Sequence, residues 1–135
     1  MYCVDMREEA RDWFDAAKVD LEEARSALRE GRHNWACFAA HQCVEKVLKA
    51  AIMVLKRERP PKTHDLTRLL HILGIDLGDE LRRTISELSP YYTIARYPNA
   101  GLERPWESID RATAEKFVKA AEEILRKIGE LLGFH

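Results

Sequence analysis

The sequence predicts an all-α fold, an up-and-down antiparallel helical bundle with three long and two short helices. Three observations predict it. Apolar residues recur at three- and four-residue steps through three long stretches, the pattern of helices with one buried face. No stretch of useful length alternates apolar and polar residues as a half-buried strand would. Glycines and prolines stand at the ends of the periodic stretches, where helices stop. With 135 residues the chain is expected to be a single domain, residues 1–135, long enough to bury a real core.

The first helix is expected from about Met6 to Glu30, with Trp13, Phe14, Ala17, Leu21, Ala24 and Leu28 as its apolar stripe and Gly31 as its stop. The second is expected from about Asn34 to Lys56, with Asn34 as N-cap and Pro60-Pro61 as its end. It is apolar on more than one side, through Trp35, Cys37, Phe38, Val44, Val47, Leu48, Ala51, Ile52, Val54 and Leu55. Such a helix belongs in the middle of a bundle or in an oligomer interface. Two short helices follow, one near Asp65–Leu73, capped by Thr63 or Asp65 and stopped by Gly74, and one near Leu77–Leu88, capped by Asp76. Ser89-Pro90 marks a boundary, where Pro90 either ends the helix or opens a short one through Tyr91 to Ala95. Tyr97 to Trp106 reads as loop, with Pro98, Gly101 and Pro105. The last helix is expected from about Asp110 to Leu132, with Phe117, Val118, Ala121, Ile124, Leu125, Ile128, Leu131 and Leu132 as its stripe.

Composition narrows the function. Lys plus Arg number 22 and Asp plus Glu 23, which argues against a chain coated in nucleic acid and leaves room for a local basic patch. The N-terminal stretch is charged by residue 5 and carries no secretory pattern, and no run approaches the ~20 apolar residues of a spanning helix, so a cytoplasmic protein away from membranes is expected. Cys37 and Cys43 lie six residues apart on one predicted helix, over ~9 Å along its axis, too far for a disulfide. They and Cys3 are expected to be reduced and mostly buried, and no spacing suggests a metal ligand set or a cofactor. One Gln and two Asn among many Glu and Arg give a thermophile-like composition.

Three places have residues suited to chemistry. In "FAAHQCVEKVLK", Phe38 to Lys49, a helix sets His41, Glu45 and Lys49 one turn apart on an otherwise apolar surface. Buried polar groups need partners, so this is either a polar pocket or a satisfied internal network. In "KRERPPKTHDLTR", Lys56 to Arg68, five cations face two carboxylates across a double proline, a stretch suited to phosphate or simply to solvent. In "YYTIARYPNAG", Tyr91 to Gly101, Arg96 lies between Tyr92 and Tyr97. Aromatic faces can hold a guanidinium for a phosphate, and tyrosines can stack a base. No GxGxxG, Walker loop, HExxH or GxSxG motif occurs.

These residues together resemble a HEPN domain, the small helical module named for higher eukaryotes and prokaryotes nucleotide-binding. The likeness rests on "AAKVDLEEA" after Trp13-Phe14, "FAAHQCVEKVLKA", "THDL" at Thr63 to Leu66, "YYTIARYP" and a final "AAEEIL" helix, in that order over nearly the whole chain. The resemblance implies a compact antiparallel bundle that forms a homodimer, and a two-gene toxin–antitoxin-type pair with a minimal nucleotidyltransferase. It also implies, for many members, a metal-independent ribonuclease whose signature is an Arg followed four to six residues later by a His. Arg96 stands where that Arg is expected, but "YPNAGLERPW" after it holds no His. Arg59 and His64 match the spacing, in the link after the second helix. The expectation therefore leans away from an enzyme. It is a nucleotide- or partner-binding homodimer with His41, Glu45, Lys49, Tyr92, Arg96 and Tyr97 at its ligand site. A ribonuclease using Arg59 and His64, or Arg96 with His64, and a purely structural dimerisation protein are the alternatives.

Overall fold

The computed structural model describes residues 5–135, which form seven α-helices and, among the described residues, no strand. They are α1 (Met6–Arg29), α2 (His33–Ala51), α3 (Leu66–Leu73), α4 (Asp79–Leu88), α5 (Tyr91–Ile94), α6 (Pro105–Ser108) and α7 (Arg111–Leu132). The three long helices and the two short ones are those the periodicity predicts. The single turns α5 and α6 add to them. Pro90 opens α5, the second of the two roles left open for it, and Pro105 opens α6 inside the stretch read as loop. The preset φ of proline suits a first helical turn. So short a helix carries no periodicity to read and depends on tertiary contacts.

Helix ends follow local chemistry, with exceptions. Asp65 and Asp110 cap α3 and α7 by accepting from Arg68 N and Thr113 N. Asn34 is not the cap of α2. Arg32 holds that position, and the buried Asn34 amide donates to Ala95 O at 3.1 Å, tying α2 to the segment after α5. Asp76 is not the cap of α4 either. It accepts from Gly78 N at 2.8 Å, and Gly78 occupies the cap position at φ +93°. The α2 helix runs on as a π-helical turn, Ile52–Lys56, and ends at Arg57 in the left-handed region, before Pro60 is reached.

The long helices α1 and α2 are antiparallel, since Asp20 meets Lys46 at 2.8 Å and Trp13 faces the Lys49 ammonium. Contacts of Arg25 with Glu122 and of Arg7 with Leu132 O set α7 antiparallel to α1. The short helices return the chain between α2 and α7. At the centre lies α2, with Ala36, Ala40, Ala50, Ala51, Cys37 and Cys43 fully buried. Small side chains there let α1 and α7 approach closely. The apolar faces that suggested an oligomer interface are thus mostly filled within the chain, leaving Trp35 and Leu55 exposed. Burial pushes the Cys37 and Cys43 thiols up to about 12, so both stay protonated at neutral pH. Cys3 lies outside the described residues.

In α1 the buried stripe is Ala10, Phe14, Ala17, Leu21, Ala24 and Ala27, so the expected Trp13 and Leu28 flank it rather than form it. Leu131, expected in the stripe of α7, is 59% exposed. Phe14 packs over Gly129, where an added Cβ would lie 2.8 Å from Phe14 Cζ. Leu131 points away from that contact, two residues and more than half a helical turn from Gly129.

Candidate functional site

The polar residues of α2 converge with the segment before α3 and with α5. His41, Glu45 and Lys49 are one helical turn apart, and all three are nearly sealed from solvent. Glu45 is the hub. Its Oε2 accepts from Lys49 Nζ at 3.1 Å and its Oε1 accepts from His64 Nδ1 at 2.8 Å. The Lys49 ammonium also lies 5.6 Å from the centre of the Trp13 ring. A buried carboxylate with one ammonium and one imidazole donor is well compensated.

His41 holds the segment that brings His64 in. Its Nε2 lies 3.0 Å from His64 O, and since a carbonyl only accepts, this nitrogen donates. Burial lowers the His41 pKa from its ordinary 6.5, against the opposing pull of the Glu45 charge. The ring is therefore neutral at pH 7, with its Nδ1 3.9 Å from Glu45 Oε1. Folded His41 binds fewer protons than unfolded His41 near pH 6. The stability this confers is complete above pH 6.5 and is lost as pH falls below it. Urea unfolding between pH 7 and pH 5 is expected to show stability falling by up to ~1.4 kcal/mol per pH unit, and His41→Gln is expected to flatten that slope.

An aromatic box faces this network. The Tyr92 ring stacks on His64, with centroids 3.7 Å apart and planes at 10°. The Arg96 guanidinium lies 4.4 Å from the Tyr92 ring centre, 4.6 Å from Phe38 and 4.9 Å from Tyr97. Arg96 Nε donates to Tyr92 O at 2.7 Å, across one turn around α5. Three rings and one carbonyl hold the guanidinium, and no carboxylate among the described residues neutralises it. His64 is 47% exposed on its side chain. With Nδ1 given to Glu45, its Nε2 is the atom free for outside chemistry. Cation and imidazole thus share one tyrosine ring.

The structure gathers His41, Glu45, Lys49, His64, Tyr92, Arg96 and Tyr97 into one cluster. Lys49 lies inside it, committed to Glu45, instead of presenting its charge to solvent. Arg59 lies outside it, because both of its contacts to Glu9, at 2.6 and 2.7 Å, hold it on α1. Arg59 and His64 therefore engage different carboxylates. Phe38 is the member the sequence reading missed as a site residue. Its signal was its place one turn before His41 and Gln42 on α2. Among the described residues no group of three His, Cys, Asp or Glu side chains is arranged to hold a metal ion, and no helix is long and apolar enough to cross a membrane.

A family model for the HEPN domain matches residues 10–131, nearly the whole chain. The chain belongs to the HEPN family. This HEPN domain is similar to the crystal structure of TT1696 from Thermus thermophilus, with 34% identity over 90% of this chain and 96% of that one, at a TM-score of 0.79. It is similar to ST0689, an archaeal HEPN homologue, with 29% identity over 91% and 97% of the two chains and a TM-score of 0.76. A HEPN domain protein from Thermotoga maritima, tm0613, is 31% identical over 90% and 98%, with a TM-score of 0.69. No curated protein matches the sequence. In this HEPN domain the arginine of the Tyr91–Gly101 segment shares the Tyr92 ring with His64, a histidine 32 residues before it.

Proposed function

We propose that this HEPN domain binds the phosphate of a nucleotide or of single-stranded RNA at the Tyr92 ring. The observation that carries the reading is the presence of Arg96 and His64 on that one ring. A guanidinium fixed by aromatic faces loses little freedom when it meets an anion, and its remaining N–H groups suit phosphate oxygens. Tyr97, half exposed, offers a face for a base. His41, Glu45 and Lys49 are positioning residues that hold His64 in place. The homodimer and the minimal nucleotidyltransferase partner implied by the family remain part of this reading, the module acting as one half of a toxin–antitoxin-type pair. Calorimetric titration with AMP, ATP and a short single-stranded RNA is expected to give binding that Arg96→Ala weakens by about tenfold or more, the worth of one charge-assisted phosphate contact. Equal binding by wild type and Arg96→Ala would remove Arg96 from the site.

A second reading is favoured by the 2.8 Å contact between Glu45 and His64. A buried carboxylate that orients a half-exposed imidazole is how a general base is prepared. In a ribonuclease, His64 Nε2 would take the proton of a ribose 2′-OH and the alkoxide would attack the adjacent phosphorus. The bond to the 5′-oxygen would break, that oxygen taking a proton from solvent and leaving a 2′,3′-cyclic phosphate, while Arg96 steadies the charge on the phosphoryl oxygens. Cleavage in the presence of a chelator, lost in His64→Ala, is the expected result of this reading. RNA left intact by the wild-type protein at neutral pH returns the site to binding alone.

A further inference from the structure

We propose that the cavity between α1 and α2, next to Phe38, is a subsite for a guanine base. The proposal deepens the phosphate-binding reading, on which its phosphate half rests. The cavity is about 320 Å³, within the range of small-ligand sites. Trp35 and Phe38 line it from α2, with ring centres 6.1 Å apart and planes nearly perpendicular. Phe38 is also one of the rings that hold Arg96, at 4.6 Å. One aromatic ring therefore separates the cavity from the proposed phosphate group. The two steps, Trp35 to Phe38 and Phe38 to the guanidinium, are 6.1 and 4.6 Å, which keeps the cavity and the cation within reach of one small ligand.

The polar lining selects the base. Glu23 and Arg32 both border the cavity, and neither makes an ion pair with another described residue. Asp20 also borders it but is held by Lys46 at 2.8 Å. Gln42 lines the cavity too. A carboxylate accepts, and guanine presents two adjacent donors, N1–H and the 2-amino group, to such an acceptor. Arginine donates in a fork to guanine O6 and N7. Adenine offers one amino group beside a bare N1 lone pair, which a carboxylate would repel. The exposed Trp35 ring supplies a stacking face that any base can use, so stacking adds affinity while Glu23 and Arg32 discriminate.

The test compares GMP, AMP, guanosine and ribose 5-phosphate by calorimetry on wild type, Trp35→Leu, Glu23→Gln and Arg96→Ala. GMP is expected to bind roughly tenfold tighter than either AMP or ribose 5-phosphate. Trp35→Leu is expected to weaken GMP and leave ribose 5-phosphate unchanged, and Glu23→Gln to erase the preference over AMP. Equal, Arg96-dependent binding of GMP, AMP and ribose 5-phosphate would overturn the base subsite and leave the phosphate reading standing. Guanosine binding that needs Trp35, with no binding of ribose 5-phosphate, would do the reverse. No binding by any of the four would overturn both. A short RNA with one guanosine, set against the same RNA with adenosine there, separates a free nucleotide from an RNA strand as the source of the base. Preference within the strand assigns the subsite to RNA, and preference confined to GMP assigns it to the free nucleotide.

Discussion

Replacing Glu45 by alanine is expected to cost about 3–5 kcal/mol of stability in urea unfolding, the usual penalty for breaking a buried ion pair. Glu45 is 4% exposed and Lys49 6%. Without the carboxylate, the Lys49 ammonium is left with the Trp13 ring as its compensation, which offsets only part of the desolvation of a buried cation. His64 loses its Nδ1 acceptor as well, so the same substitution frees the imidazole that the site depends on. The paired replacement Glu45→Leu with Lys49→Met is expected to cost far less than Glu45→Ala, because no charge is stranded and the volume is kept. It would still release His64. Stability and function are thus separable at one residue: a stable double variant with lost binding would show that Glu45 serves the site. A loss below about 1 kcal/mol for Glu45→Ala would mean that Lys49 escapes to solvent, contrary to its burial.

Phe14→Ala is expected to destabilise by about 3–5 kcal/mol, measured in the same way. Phe14 is 1% exposed and sits where α1, α7 and the residues after α7 meet. Its ring packs on Phe134 with centroids 5.4 Å apart and covers Gly129. Gly129 has no side chain to fill the space that the ring would vacate, so the cavity cannot collapse cheaply. Phe134 would be left with the Arg7 and Arg11 guanidiniums, 4.9 and 5.1 Å from its ring centre. Those contacts depend on Phe134 staying seated. A double-mutant cycle with Phe134→Ala is expected to give a coupling of about 0.5–1.5 kcal/mol, the worth of an aromatic pair beyond its burial.

The long helices were legible because their information is local. A stripe at three- and four-residue steps with a glycine after it specifies α1 and α7 almost to the residue, and Asp65, one of the two caps expected for α3, holds that position. Asn34 misled for a physical reason. It is a good cap by type, but a carbonyl 61 positions away claims its amide and draws it into the helix. The small helices α5 and α6 misled because four residues hold no period. Leu131 misled because apolar type does not say whether a neighbour waits on that side of the helix.

The sequence by itself determined the helical class, the placing of His41, Glu45 and Lys49 on one face of α2, and the adjacency of Arg96 to Tyr92 and Tyr97. Each of these follows from helical repeat or from nearness in the chain. Only the tertiary structure decided that Lys49 faces Glu45 inside the fold, that Arg59 is held by Glu9, and that His64 joins Arg96 on the Tyr92 ring. Sequence patterns report which groups share a helix face. Which distant group satisfies a buried charge depends on how helices pack, and here the Glu45 oxygen left over by Lys49 is met by an imidazole from the link before α3. That contact sets a histidine on the same tyrosine ring as the arginine of "YYTIARYPNAG", a segment with no histidine of its own.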